Sequence, residues 1–247
     1  MGVGPLIAWR RASRDNLRRN FLWPVVIGVA SAGLFYGLGV RSTLAILSLA
    51  LTVFVAVTIA VDYLRALRAR RRMGERLLPA MGGLLHRHNR RYGGFVIHLG
   101  ILVIAVGVTG SQAWSLHREA TLKKGEAVEL AGYKFQFNDL SAREAGNHFL
   151  VESTFKVTNG ASVAHELRPA KKFYPQEQSP IAHVDYRLGF IDDLYLVLGD
   201  FARDGSQATV KVQVNRMVSW IWIGGAILTL GTVLAILPER AERRKSA

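Results

Sequence analysis

The sequence predicts an α-helical integral membrane protein, four transmembrane helices carrying an inserted antiparallel all-β domain. Three observations carry this. Half of the residues are hydrophobic while the formal charge is +14, and the two characters are segregated into blocks. Four apolar runs, at about 22–39, 43–63, 94–113 and 218–237, each suffice for the roughly 20 helical residues that cross a hydrocarbon core. Between the third and fourth runs the hydrophobic period changes from that of a helix to that of a strand.

The charge sets the orientation. Residues 1–21, 64–93 and 238–247 lie on one side if every run crosses once, and together they hold the whole positive excess. Segment 114–217 has thirteen basic and thirteen acidic residues and so no net charge. Cytoplasmic flanks are enriched in Arg and Lys, so both termini and the 64–93 loop are predicted to be cytoplasmic. Residues 114–217 are then predicted to lie on the opposite, outer side of the membrane. A sequence pI near 10.6 otherwise hints at nucleic acid. Here the excess is juxtamembrane arginine, which suits topology and anionic lipid headgroups, and no nucleic-acid partner is expected. The chain has no cysteine, which excludes disulfides and thiol chemistry.

Each element follows in order. The N-terminal stretch reads as an interfacial segment, with Trp9 and Trp23 at headgroup depth. The first span carries Gly33 and Gly37 in a GxxxG spacing, either a close helix approach or the general glycine enrichment of membrane helices. Residues 40–42 allow only a tight hairpin. The second span is expected to continue as a basic helix to about Arg72. Pro79 and Gly82-Gly83 break the pattern ahead of His86 and His88. The third span contains one ionisable residue, His98, with Gly100, Gly107 and Gly110 as close-packing positions. The fourth follows Trp220 and Trp222 and repeats the habit with Gly224, Gly225 and Gly231. These spans give three domains: membrane region 1–113, β-domain 114–217, and span with tail 218–247.

Within the β-domain, alternation predicts strands at 133–137 and 149–157, with Phe149, Val151, Phe155 and Val157 on one face. Asn159-Gly160 signals a hairpin with its return strand at 162–167. Further strands are predicted at 181–186, 194–198 and 208–214. About seven strands suggest a small sandwich or barrel.

His98 is the candidate site residue. Four residues inside the third span, it lies about 6 Å below the cytoplasmic edge at ~1.5 Å per residue. A neutral imidazole within a span can ligate haem iron without adding buried charge. It can equally hydrogen-bond a carbonyl or reach headgroups. Its helical neighbours Gly94, Ile101, Leu102 and Ala105 make a small and aliphatic face on which a flat macrocycle fits. His86 and His88 read as a solvated basic loop, and His117, His148, His165 and His183 have no metal spacing. No hydrolase or nucleotide-binding signature occurs and no catalytic residue is assigned. Asp192-Asp193 is a candidate carboxylate pair, although a solvated start of a strand is the favoured reading.

The string Asn89-Arg90-Arg91-Tyr92-Gly93-Gly94-Phe95-Val96-Ile97-His98-Leu99-Gly100, with Gly107 and Gly110-Ser111, resembles the late transmembrane region of the CcmF family of cytochrome c-type biogenesis proteins. Segments 4–11 (GPLIAWRR), Gly125-Glu126 with Gly132-Tyr133, Lys172-Phe173-Tyr174, Asp193-Leu194-Tyr195 and 218–225 (VSWIWIGG) match in order. The resemblance covers the family's C-terminal third or so. It implies part of a haem lyase that attaches haem to apocytochrome c at the periplasmic face, with a haem carrier protein and apocytochrome-binding partners. It also implies a b-type haem (haem b) inside the bilayer held by two histidines, one of which falls on His98 as axial iron ligand. The family's tryptophan-rich segment and second ligand have no counterpart in this sequence. A split or truncated form is therefore expected, whose upstream CcmF-like chain supplies both. This chain alone is not expected to perform the ligation. The rival readings are a haem-free scaffold subunit and the haem-handling protein of the other cytochrome c assembly system.

Overall fold

A computed structural model describes residues 14–73, 89–160 and 165–237. The basic segment with His86 and His88, Trp9 and the C-terminal tail lie outside the described residues. The helices are α1 (Arg14–Gly37), α2 (Thr43–Arg72), α3 (Asn89–Trp114) and α4 (Val218–Ile236). All four are long and apolar enough to cross a membrane. Helix α2 ends at Arg72, where the basic run predicted it to end. Helices α1 and α3 begin before the apolar stretches themselves, at Arg14 and Asn89, because a helix does not stop where hydropathy does. The chain divides into two units, residues 1–113 with 220–247 and residues 114–219.

In the helical unit, α3 is shared by two interfaces that lie on two of its faces. Towards α2 it presents Arg91, Phe95, His98, Leu102, Ala105 and Thr109, spaced three and four residues apart as one helical stripe requires. Arg91 Nη2 donates to Asp62 Oδ2 at 2.7 Å, and the Ser48 and Thr109 hydroxyls share a 2.7 Å hydrogen bond. Tyr92, buried, stacks edge-on against both Tyr63 and Phe95.

Towards α4 the contact is backbone on backbone. A Cβ on Gly100 would lie 2.6 Å from the Leu228 nitrogen, one on Gly224 2.7 Å from the Gly100 carbonyl, and one on Gly231 2.6 Å from the Ile97 nitrogen. Small residues are what permit such an approach. Between α1 and α2 the close position is Gly28, whose added Cβ would meet Phe54 Cβ at 3.2 Å. Nothing lies within 4 Å of a Cβ at Gly33 or Gly37, so the GxxxG pair mediates no approach among the described residues.

Among the described residues the β-unit has ten strands: β1 (Leu116–Lys123), β2 (Ala127–Leu130), β3 (Tyr133–Ala145), β4 (His148–Thr158), β5 (His165–Leu167), β6 (Ala170–Phe173), β7 (Ile181–His183), β8 (Asp185–Arg187), β9 (Asp192–Phe201) and β10 (Gln207–Arg216). They form two antiparallel sheets, ordered β1-β10-β9-β8 and β2-β3-β4-β6-β7, with β5 also paired to β4. One sheet contributes Phe135, Phe137, Val151, Phe155 and Val157 to the core, and the other Leu194, Leu196, Leu198, Val210, Val212 and Val214. The period-2 alternation of β4, β9 and β10 produces this directly. Phe149 shares its parity with Val151 but is 44% exposed, because it lies at the start of its strand.

Candidate functional site

His98 sits in α3 on the stripe that faces α2, partly buried. Its Nδ1 lies 2.7 Å from the Gly94 carbonyl oxygen, one turn earlier. A carbonyl only accepts, so Nδ1 carries a proton, and in the neutral imidazole the lone pair is on Nε2. That is the tautomer a metal ligand needs, oriented by its second ring nitrogen. The ring borders an apolar cleft of about 210 Å³ between α2 and α3, lined also by Ser48, Leu51, Thr52, Val55, Ile101, Leu102 and Ala105. Ile101, Leu102 and Ala105 are the neighbours predicted from helical spacing. The α2 side depends on the register between helices, which sequence does not report. The Asp62–Arg91 and Ser48–Thr109 bonds bracket the cleft along the helices, one towards each end.

A histidine on an apolar wall, protonated at Nδ1 and bare at Nε2, fits haem iron chemically, as one ligand of a pair. Among the described residues, no group of three or more His, Cys, Asp or Glu side chains is placed to hold a metal ion. His117, His148, His165 and His183 thus belong to no such group.

Asp192 and Asp193 behave otherwise than a solvated start of a strand. Asp193 is 1% exposed. Its Oδ1 accepts from the Gly189 amide at 2.8 Å and from the Ser219 hydroxyl at 3.4 Å, while Oδ2 has no hydrogen-bond partner. Ser219 Oγ also donates to the Gly189 carbonyl at 2.7 Å. Asp192 Oδ1 is 3.4 Å from Arg216 Nε as an ion pair, without hydrogen-bond geometry for either atom. No sequence signal distinguishes such a buried carboxylate from an exposed one, since its partners are a loop amide and a hydroxyl 26 residues on.

Beside it, burial raises the Tyr195 phenol above the usual 10.0, and the charges of Asp193 and Tyr186 add to this. The folded pKa thus exceeds the unfolded one. The stability this ring contributes is present at neutral pH and disappears as pH rises through the raised value. Ultraviolet titration of wild type against Tyr195→Phe should show one phenol ionising above the ordinary tyrosine midpoint. A difference spectrum centred at or below that midpoint would contradict the buried setting.

A bundle of apolar helices bearing one ligand-competent imidazole and joined to a β-sandwich defines a multi-pass membrane protein with an appended globular domain. Residues 113–216 match the family model described as the CcmF C-terminal beta-sandwich. The cytochrome c-type biogenesis protein CcmF of Pseudomonas aeruginosa is 35% identical over 152 residues, 61% of this chain and 23% of that protein. CcmF of Escherichia coli strain K12 is 28% identical over 250 residues, spanning 100% of this chain and 36% of that protein. A solved structure of the cytochrome c heme lyase CcmF superposes with a TM-score of 0.72 at 29% identity, covering 96% of this chain and 37% of that one. The chain is therefore CcmF-like along its length, and it matches between 23% and 37% of the length of those proteins.

Proposed function

We propose that this chain works in cytochrome c biogenesis as part of a CcmF-type haem lyase, contributing His98 as one axial ligand of a b-type haem within the membrane. The observation that carries this is the Nδ1–H···O=C bond from His98 to Gly94, which leaves Nε2 bare beside an apolar cleft. The likeness to CcmF along the chain supports it. Gly94 fixes the tautomer, the Asp62–Arg91 and Ser48–Thr109 bonds hold α2 at a set distance from the ring, and the aliphatic lining excludes water. A haem held there supplies one-electron redox chemistry. The second ligand and the tryptophan-rich segment belong to an upstream CcmF-like polypeptide in this proposal. The charge distribution supports cytoplasmic termini and a periplasmic sandwich in the inner membrane, where the sandwich meets the haem carrier or apocytochrome c.

The test is the reduced absorption spectrum of the detergent-purified complex with that upstream polypeptide, for wild type and His98→Ala. Wild type is expected to show a b-type spectrum, and an assembled His98→Ala complex to lose or shift it. An unchanged spectrum in the assembled variant would sink the ligand assignment and leave the chain a scaffold.

A further inference from the structure

The two ends of the β-sandwich differ in character. Strand β9 starts at Asp192 and β10 returns to Arg216, so their shared turn at 202–206 marks one end. The turn there is polar: Arg203, Asp204 and Ser206 form it, and the neighbouring Lys124 amide donates to the Ser206 carbonyl at 3.1 Å. The opposite end holds the start of β1, the turn 188–191 between β8 and β9, and the end of β10, since Leu116 pairs with Val214 and Arg187 with Leu194. There Leu188 is 61%, Ile191 58% and Leu116 45% exposed. Leu116, Leu188 and Ile191 thus make an exposed aliphatic cluster where the chain enters and leaves the sandwich.

The chain enters and leaves the sandwich at that same apolar end. The Arg216 amide donates to Ser115 Oγ at 3.1 Å, tying the residue after α3 to the residues before α4. The 188–191 turn is fastened to residues 217 and 219 of the same unit. The Met217 amide donates to the Ile191 carbonyl at 2.6 Å, and the Ser219 hydroxyl donates to the Gly189 carbonyl at 2.7 Å. From the other side, the Gly189 amide donates to buried Asp193. A Cβ on Gly189 would overlap the Asp192 carbonyl oxygen, so the turn admits only glycine there. Met217 takes a left-handed φ of 61° to make its bond, a conformation a non-glycine residue adopts only when its surroundings require it.

We propose that the turn 188–191, with Leu116, is a membrane-surface anchor whose occupant is the lipid headgroup and upper acyl region. The argument is continuity. Val218 begins a helix apolar enough to span, so a turn hydrogen-bonded to Met217 and Ser219 stands at the depth where that span starts. Leu188 and Ile191 then insert about 5–10 Å, as apolar faces at the headgroup–acyl boundary do. Exposed Arg187 lies next to the turn, within reach of lipid phosphate. The reading rests on the spans alone and is independent of haem at His98.

The absence of cysteine makes the test direct, because one introduced thiol carries one label. The full chain is placed in nanodiscs of mixed phosphatidylcholine and phosphatidylglycerol, with an environment-sensitive fluorophore on Leu188→Cys, Ile191→Cys or, at the far end, Arg203→Cys. Labels at 188 and 191 should be quenched at least about threefold more than at 203 by a nitroxide lipid, and about threefold less by iodide. Iodide quenching at 188 and 191 equal to that at 203 overturns the proposal. Protection from iodide without quenching by the nitroxide lipid overturns it too, since a protein surface would then cover the turn.

Discussion

Gly100→Leu is expected to force α3 and α4 apart and lower the stability of the helical unit by about 3 kcal/mol, the upper end of what overpacking costs. A Cβ there meets the Leu228 nitrogen at 2.6 Å and the Gly224 carbonyl at 2.7 Å. Both are backbone atoms of the facing helix, so no rotamer change relieves the overlap and the helices themselves must separate. Separation also moves Gly231 off Ile97 and Gly93 off Ala235, because the four close contacts lie along one line of approach. Gly225→Leu is the matched control. Its Cβ has nothing within 4 Å, and leucine's better helix propensity makes it neutral or mildly stabilising. Unfolding of the full chain by titration from mild detergent into sodium dodecyl sulfate separates the two. A Gly100→Leu midpoint equal to that of Gly225→Leu would mean that α3 and α4 do not touch as described.

What sequence could and could not show follows from the range over which each signal acts. The spans were legible because hydropathy and charge are local sums, and the end of α2 at Arg72 came from the basic run inside it. Strands β4, β9 and β10 were legible because each buries one face in strict alternation. Strands β1, β2 and β6 carry too little of that pattern. In β1 only Leu122 is buried, and the other two have four residues each. The single strand predicted at 181–186 is in fact two, β7 and β8, in different sheets. Asp185 marks the break: its Oδ2 accepts from the Arg168 amide and its Oδ1 from the Tyr186 amide. A side chain that rewires the backbone in this way breaks alternation without altering composition.

The candidate site divides along the same line. His98 was visible because an ionisable residue inside an apolar run is conspicuous, and its own-helix neighbours follow from a period of 3.6. Its tautomer depends on a ring orientation, and the α2 wall of its cleft depends on the register between two helices. The Ser48–Thr109 bond links residues 61 apart, and Asp62–Arg91 residues 29 apart. Hydroxyls and charges near helix ends are common enough that neither pairing stands out in the chain. Asp193 was read as solvated for the opposite reason, since a carboxylate carries a strong prior for exposure that only tertiary structure overrides.

Asp193→Ala is accordingly expected to destabilise the β-unit by roughly 2–3 kcal/mol. It strands a half-buried amide at Gly189, weakens the hold on Ser219 and leaves a void where a fully buried side chain stood, and an orphaned partner costs about 1–3 kcal/mol. For a domain near a hundred residues that is a fall of roughly 10–15 °C in Tm. Asp193→Asn separates hydrogen bonding from charge. Its carbonyl still accepts from Gly189 and Ser219, and its amide replaces Oδ2, the oxygen that has no partner. If acceptance is what matters, the asparagine variant keeps most of the wild-type Tm. If the negative charge itself matters, it falls as far as alanine. Amide hydrogen exchange at Gly189 and Met217 in the full chain then locates the loss. Faster exchange at both in the alanine variant, with the β4 amides unchanged, places the damage at the 188–191 turn and its bonds to residues 217 and 219. Uniform acceleration throughout the sandwich would instead mean that Asp193 supports the whole core and that the 188–191 turn has no separate hold on the helix.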